Sequence, residues 1–263
     1  MNINDISTQL MFTTVPIYVV YKNQSTGSGT GFIFSVNDEN NATIPLLITN
    51  YHVVENMKIA CAELHISKNN LPTNETVKVN FSEELIENNK LGELDLVAIP
   101  LAFALNSLQN KNINVFYRTI GKEIIPTKEQ IDNLAAIEDI TFVGYPNGLY
   151  DNVNKMSIVR RGITATPIWN DFQGQEAFLI DAGVFPGSSG SPVFIYNRGT
   201  YPTSDGIAVG NRLIFVGIIS DTVKSNNSFS SDYLDLGYVI KSNVMNKEID
   251  KFLVNLKERY KNN

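Results

Sequence analysis

The sequence predicts an all-β protein of two six-stranded antiparallel β-barrels, with a short inserted helix and a C-terminal helix. Short apolar or alternating runs recur along both halves of the chain, and Gly, Asn, Ser and Pro separate them. Aromatic and β-branched residues, which favour strands, are plentiful. The 263 residues allow one large domain or two small lobes, and we assign them to a single domain, 1–263.

The first half contains six runs with the length and composition of strands. They cover residues 15–22, 29–36, 43–48, 58–66, 76–81 and 95–100. Six short strands at this spacing favour a small closed barrel, because closure removes exposed sheet edges. The predicted N-terminal barrel is about 14–102.

Residues 103–138 differ from their surroundings and are predicted to connect the halves. Pro126 followed by Thr127 and Gln130 is typical of a helix start. Strand-like runs then resume at 139–144, 156–164, 177–182, 191–196, 212–219 and 236–240. The C-terminal barrel is therefore about 139–242, and an apolar stripe predicts a helix over about 243–260.

Composition excludes several functions. The formal net charge of −6 gives no basic surface for nucleic acid, and no run approaches the about 18 apolar residues of a membrane helix. Cys61 is the only cysteine, so no intrachain disulfide is possible, and its apolar neighbours predict a small buried residue. The N-terminus lacks the basic and apolar regions of a signal peptide, which with the missing disulfides predicts a cytoplasmic location. We predict no metal site and no cofactor, because ligand clusters and phosphate-binding loops are missing.

Two histidines compete for the role of a general base. His52 follows an apolar strand where a turn begins, so its ring could enter a cleft, although it could also merely cap the strand end. His65 lies in an alternating strand and is interpreted as a solvent-side residue.

Asp95 stands at the head of an apolar strand. A carboxylate there is costly to bury unless it is paired, and an imidazole N–H is a suitable partner. The alternative is a loop aspartate beside a strand. Glu93 is the local competitor but lies further outside the strand.

The segment 186–192 combines two glycines, three serines and two flanking prolines. Gly187 permits a close backbone approach, so its amide and that of Ser189 could point together at a carbonyl oxygen. A plain turn between two strands is the alternative. Residue 191 is serine, which departs from the G-x-S-x-G pattern of α/β-hydrolases.

His52, Asp95 and Ser189 follow one another in the order His, Asp, Ser, with the serine in the second half. Among serine hydrolases this order is that of the chymotrypsin-like arrangement. The combination predicts a catalytic triad.

The segments TNYHVV, LDLVAI and PGSSGSPVF resemble the histidine, aspartate and serine motifs of trypsin-like peptidases. Segments 142–146, 161–165 and 237–242 are similar to the second barrel of bacterial HtrA-related peptidases. The resemblance implies a double barrel with a cleft between the barrels. It also implies His52 as base, Asp95 as orienting group, Ser189 as nucleophile, and an oxyanion hole from the amides of Gly187 and Ser189. From the length we expect no PDZ domain of the kind typical of HtrA proteins.

One departure concerns activation. Ser188 stands where digestive trypsin-like enzymes have an aspartate that pairs with a newly cut N-terminus. We therefore expect that no propeptide cleavage is needed.

By the family's spacing, the base of the substrate pocket falls at Gly183. Its walls come from Ile219, Ser220, Asp221 and Gly237. The base carries no acid, which favours small or medium apolar side chains, while Asp181 and Asp221 leave a basic preference open. Arg160 and Arg161 are interpreted as strand-surface arginines, with binding of a substrate carboxylate as the alternative.

The predicted function is a serine endopeptidase that works through an acyl-enzyme on protein or peptide substrates. A catalytically silent binding module and an esterase-like acyl hydrolase on the same triad are the alternatives. A regulatory protein partner is also conceivable, and segments 103–138 and 221–235 are the candidates for such control.

Overall fold

The computed structural model describes residues 2–37, 42–203, 206–224 and 233–261, and the fold is mostly β. The first half contains β1 (Thr14–Tyr21), β2 (Thr26–Asn37), β3 (Thr43–Thr49), β4 (Met57–Lys68), β5 (Leu71–Phe81), β6 (Val97–Pro100), β7 (Val115–Phe116) and β8 (Ile120–Gly121). The second half contains β9 (Asp139–Gly144), β10 (Ile158–Thr164), β11 (Ala177–Asp181), β12 (Pro192–Asn197), β13 (Thr200–Thr203), β14 (Gly206–Val209), β15 (Arg212–Lys224) and β16 (Tyr233–Lys241). The helices are α1 (Ile6–Met11), α2 (Tyr51–Val54), α3 (Glu83–Glu87), α4 (Ala102–Asn110), α5 (Lys128–Asp132) and α6 (Ser242–Lys261).

The second half forms the predicted closed barrel. Its strands follow the order β10-β11-β16-β15-β12-β9 and return to β10, and every ladder is antiparallel. The hairpin β13–β14 is an addition that the sequence pattern did not predict, since its strands have four residues each and lie at the surface.

The first half is an eight-stranded sheet with the order β5-β4-β1-β2-β3-β6, to which β7 and β8 add at β4 and β2. Among the described residues no ladder joins β5 to β6, so closure is confirmed for the second half alone. The chain between these strands forms α3, which packs against β4 and β6.

The connection between the halves contains more regular structure than predicted. The expected helix is α5, which begins with a capping box in which Thr127 and Gln130 bond each other's backbone. The structure adds α4 and the short strands β7 and β8. The C-terminal helix is α6, as expected. No helix in the described ranges is both long and apolar enough to cross a membrane.

An aromatic core joins the two halves. Phe32 of β2 meets Phe215 of β15 edge to face, with ring centroids 5.5 Å apart, and Phe194 of β12 lies 5.7 Å from the same ring. Three side chains of α6 complete this cluster: Met245, Ile249 and Phe252. The seam between the halves is therefore an apolar core, which holds the residues on its two sides in fixed positions.

We expect Phe215→Ala to lower the free energy of unfolding by about 3–5 kcal/mol, because it opens a cavity between the halves. Urea denaturation measures the change. Phe103→Ala is the control, since Phe103 is 87% exposed, and it should change stability by less than about 0.5 kcal/mol. Equal losses in the two variants would contradict the packing of this seam.

Candidate active site

His52 and Asp95 form a close pair. His52 lies in α2, which turns away directly after the buried strand β3, and Asp95 precedes β6, the neighbour of β3 in the sheet. The Nδ1 atom of His52 is 2.6 Å from Oδ2 of Asp95, and the backbone N–H of His52 donates to Oδ1 at 2.9 Å. Both carboxylate oxygens therefore hold the same residue, which fixes the orientation of the ring.

Two further side chains support Asp95. The hydroxyl of Ser220 donates to Oδ2 at 3.2 Å, across from the second barrel. The amide of Asn50 donates to Oδ2 at 3.1 Å and to the Asp95 carbonyl at 2.9 Å. A carboxylate with this many donors is stabilised in its ionised form.

The interaction between His52 and Asp95 shifts the pKa values of both groups. Burial by itself would lower the pKa of His52, but the hydrogen bond and charge of Asp95, helped by the charges of Asp221 and Glu55, raise it above its usual value. Burial would likewise raise the pKa of Asp95, but His52 and the hydroxyl of Ser220 hold it below its usual value. A charged Asp95 that stabilises a protonated His52 follows from these shifts.

The segment that precedes Ser189 is a tight turn. The N–H of Ser188 donates to the Phe185 carbonyl at 2.9 Å, and Gly187 has φ +86°. Pro at the second position and Gly with positive φ at the third are typical of a type II turn. The glycine is required, because a Cβ would stand 2.7 Å from the Tyr145 carbonyl oxygen.

The peptide between Pro186 and Gly187 has a fixed orientation. Its carbonyl accepts from the N–H of Asn147, so the N–H of Gly187 points the opposite way. The Gly187 carbonyl accepts from the hydroxyl of Thr30 at 2.9 Å. Within the described ranges the N–H groups of Gly187 and Ser189 donate to no protein atom, so both are available to a ligand oxygen.

Ser189 is connected by hydrogen bonds to the strands that lead to His52 and to Ser220. Its carbonyl accepts from the N–H of Thr30 at 2.9 Å, and the Thr30 carbonyl in turn accepts from Thr49, three residues before His52. On the other side Gly190 donates to Ile219, the neighbour of Ser220. The Ser189 hydroxyl has no hydrogen-bond partner among the described residues, so it makes no direct hydrogen bond to His52.

The predicted pocket residues take different positions. Gly183 lies beside Arg160 and Phe185, and Gly237 packs against Val184. Ile219 is fully buried in the barrel core, so it offers its backbone rather than its side chain.

The two residues after Ile219, Ser220 and Asp221, both act on the His52–Asp95 pair. Ser220 supports Asp95, as described above. Asp221 is exposed, and its charge acts on His52.

Three other predictions concern single residues. Ser188 is buried, and its hydroxyl accepts from the N–H of Phe185 at 3.4 Å, so a side chain of the turn itself braces the turn. His65 is half-buried rather than on the solvent side, and its ring nitrogens lie 2.9 and 3.0 Å from the carbonyls of Thr73 and Lys155. Cys61 is buried, as predicted.

In the described part of the chain no three His, Cys, Asp or Glu residues form a group that could hold a metal ion.

Sequence reasoning missed the polar residues that align the site. Asn50 lies inside the TNYHVV segment, two residues before His52, and Thr30 lies inside strand β2. Both are fully buried. A polar residue inside the histidine motif is a sequence signal that could have identified Asn50, whereas no motif marks Thr30.

Comparison with known proteins bears on the same region. The family model described as trypsin-like peptidase domain matches residues 29–200. The chain belongs to this family. No curated protein matches the chain.

Solved structures similar to this trypsin-like peptidase domain include two proteases. One is a variant of the HtrA-type protease AlgW with a tripeptide, at TM-score 0.50 and 14% identity, over 91% of this chain and 60% of that one. Another is a serine endoprotease from Yersinia pestis, at TM-score 0.50 and 14% identity, over 93% of this chain and 64% of that one. The chain thus spans less than two thirds of the length of these neighbours, and at such identity the likeness shows the fold alone.

We expect Asp95→Asn to lower the pKa of His52, because it removes the hydrogen bond and the charge that raise it. NMR titration of the imidazole signals measures the shift, with His65→Gln used to assign them. Asp221→Asn should lower the pKa less, and Asp181→Asn should leave it unchanged. An unchanged titration in Asp95→Asn would contradict the pairing.

We expect Thr30→Val to lower the free energy of unfolding by about 1–3 kcal/mol, because it removes the partner of two buried backbone groups. These are the carbonyl of Gly187 and the N–H of Tyr145. Urea denaturation measures the loss, and Thr30→Ser, which keeps the hydroxyl, is the control. Valine and serine variants of equal stability would show that these bonds contribute nothing.

Proposed function

We propose that this trypsin-like peptidase domain, residues 1–263, is a serine endopeptidase that uses His52, Asp95 and Ser189 as a catalytic triad. The observation that carries the proposal is the doubly held His52–Asp95 pair, whose strand is hydrogen-bonded through Thr30 to the turn of Ser189. In that turn the N–H groups of Gly187 and Ser189 donate to no protein atom of the described residues. Substrates are proteins or peptides.

In the acylation step, Oγ of Ser189 attacks the carbonyl carbon of the scissile bond. His52 accepts the hydroxyl proton on Nε2 as the new C–O bond forms. The N–H groups of Gly187 and Ser189 donate to the resulting oxyanion, each contributing about 3–4 kcal/mol to the transition state. His52 then gives its proton to the amine nitrogen, the C–N bond breaks, and an acyl-enzyme remains.

In the deacylation step, a water molecule takes the place of the amine. His52 accepts a proton from this water as its oxygen attacks the ester, and then returns a proton to Oγ of Ser189 as the acid is released. Asp95 stays ionised throughout the reaction, and it stabilises the imidazolium of His52 in both steps. The lowered pKa of Asp95 and the raised pKa of His52 support these roles.

Activation is proposed to need no N-terminal cleavage. The support is the buried Ser188, whose hydroxyl braces the turn where the digestive enzymes use an ion pair. Cytoplasmic location and a regulatory partner stay predictions. Of segment 221–235, residues 225–232 lie outside the described residues.

We expect a fluorophosphonate probe to label the wild-type protein and not Ser189→Ala. Ser191→Ala is a matched control two residues away, since the Ser191 hydroxyl is buried and without a partner among the described residues, and it should keep the label. Cleavage of casein should fall by roughly 10⁶-fold in Ser189→Ala.

The outcomes separate the alternatives. Labelling that persists in Ser189→Ala would overturn the peptidase proposal. Labelling without peptide cleavage, but with turnover of p-nitrophenyl esters, would favour an acyl hydrolase. No labelling and no cleavage in the wild type would favour a binding module.

A further inference from the structure

Arg160 occupies an unusual position for a charged residue. It lies in the middle of β10, directly opposite Phe142 of β9, and opposite residues in an antiparallel pair point to the same face. Phe142 belongs to the core of the second barrel. The burial of β10 alternates accordingly, with Arg160 half-buried and both neighbours, Val159 and Arg161, exposed. Arg160 is thus on the inner face of the barrel and not on its surface, where the sequence placed it.

The guanidinium of Arg160 lies against the segment that leads to Ser189. Its Cζ is 4.8 Å from the ring centroid of Phe185. Its Nη2 would be only 2.7 Å from a Cβ at Gly183, so glycine leaves the room that the guanidinium fills. Phe185 begins the turn that carries Gly187, because its carbonyl accepts from Ser188. The charge therefore stands at the predicted base of the substrate pocket.

Among the described residues, the contact of Arg160 with the Phe185 ring is not accompanied by an ion pair. Arg160 has no carboxylate within 4.0 Å and no hydrogen bond among the residues that the structure describes. The other arginines of the second barrel differ, as Arg161 pairs with Asp139, Arg198 with Asp5, and Arg212 with Glu138. A half-buried guanidinium whose N–H groups have no acceptor is costly, and its five N–H donors match a carboxylate.

We propose that Arg160 is the specificity-determining residue of the site and selects substrates with an acidic side chain immediately before the cleaved bond. This inference rests on the proposed peptidase function. A substrate carboxylate would receive up to two parallel hydrogen bonds from the guanidinium. A lysine or arginine at the same position would meet a like charge. Asp181 and Asp221, which left a basic preference open, are both exposed, so Arg160 is the charge at the base.

The test is a set of fluorogenic peptides that differ only in the residue before the cleaved bond, which is Glu, Gln, Leu or Arg. We expect the wild type to cleave the Glu peptide with a kcat/KM roughly 10- to 100-fold above that of the Gln peptide. In Arg160→Gln this ratio should fall to near one, with kcat/KM for the Leu peptide retained. Arg161→Gln is the matched control and should keep the wild-type ratio. Faster cleavage of Leu or Arg peptides by the wild type, or an unchanged ratio in Arg160→Gln, overturns the proposal.

Two measurements keep the result interpretable. Fluorophosphonate labelling needs no acidic side chain, so normal labelling without acidic preference overturns the role of Arg160 and leaves the peptidase function standing. Absent labelling of the wild type overturns both. If Arg160→Gln does not fold, Arg160→Lys keeps the charge without the planar fork, and its Glu-to-Gln ratio should lie between wild type and one. Mapping the bonds that the wild type cuts in a denatured protein needs no variant, and cuts that do not follow Glu or Asp also overturn the proposal.

Discussion

Thr30 connects the first sheet to the turn of Ser189, and the alignment of the site depends on it. Its N–H holds the carbonyl of Ser189, its hydroxyl holds the carbonyl of Gly187, and its own carbonyl accepts from Thr49. All of these groups are buried or nearly so, where an unmade hydrogen bond is costly. One residue of β2 thereby sets the position of the serine turn relative to the strand that leads to His52.

The second constraint is the number of donors around Asp95. Its carboxylate receives the His52 ring, the His52 backbone N–H, Asn50 and Ser220, which come from both halves of the chain. Because ionised Asp95 and protonated His52 stabilise each other, the pair is prepared for a reaction in which His52 gains a proton. Ser220 donates a hydrogen bond from the second barrel. The two halves of the chain must therefore be correctly positioned relative to each other for the carboxylate to accept all of its hydrogen bonds.

Charge is distributed unevenly around the cleft. The His52 side carries Asp95, Asp221 and Glu55, all of which act on the imidazole. The predicted base of the substrate pocket, at Gly183, carries the positive charge of Arg160, which has no carboxylate partner among the described residues. A substrate with an acidic side chain would complement this positive charge, which is the physical basis of the specificity that we propose.

The sequence by itself determined the strand pattern of the second barrel, the helices α5 and α6, and the three residues proposed as the triad. These follow from local causes: alternation of apolar residues, capping residues, and glycines that a tight turn requires. Closure of the first half was not predictable, because α3 lies between strands whose pairing depends on distant residues.

The tertiary structure alone decided what surrounds those residues. Asn50, Thr30 and Ser220 act through partners 19 to 157 positions away, a separation at which no local pattern exists. Arg160 is another residue whose surroundings could not be assigned from the sequence. Neighbouring arginines in a strand look alike in sequence, and only the pairing of β10 with β9 shows that Arg161 faces solvent whereas Arg160 is on the inner face of the barrel.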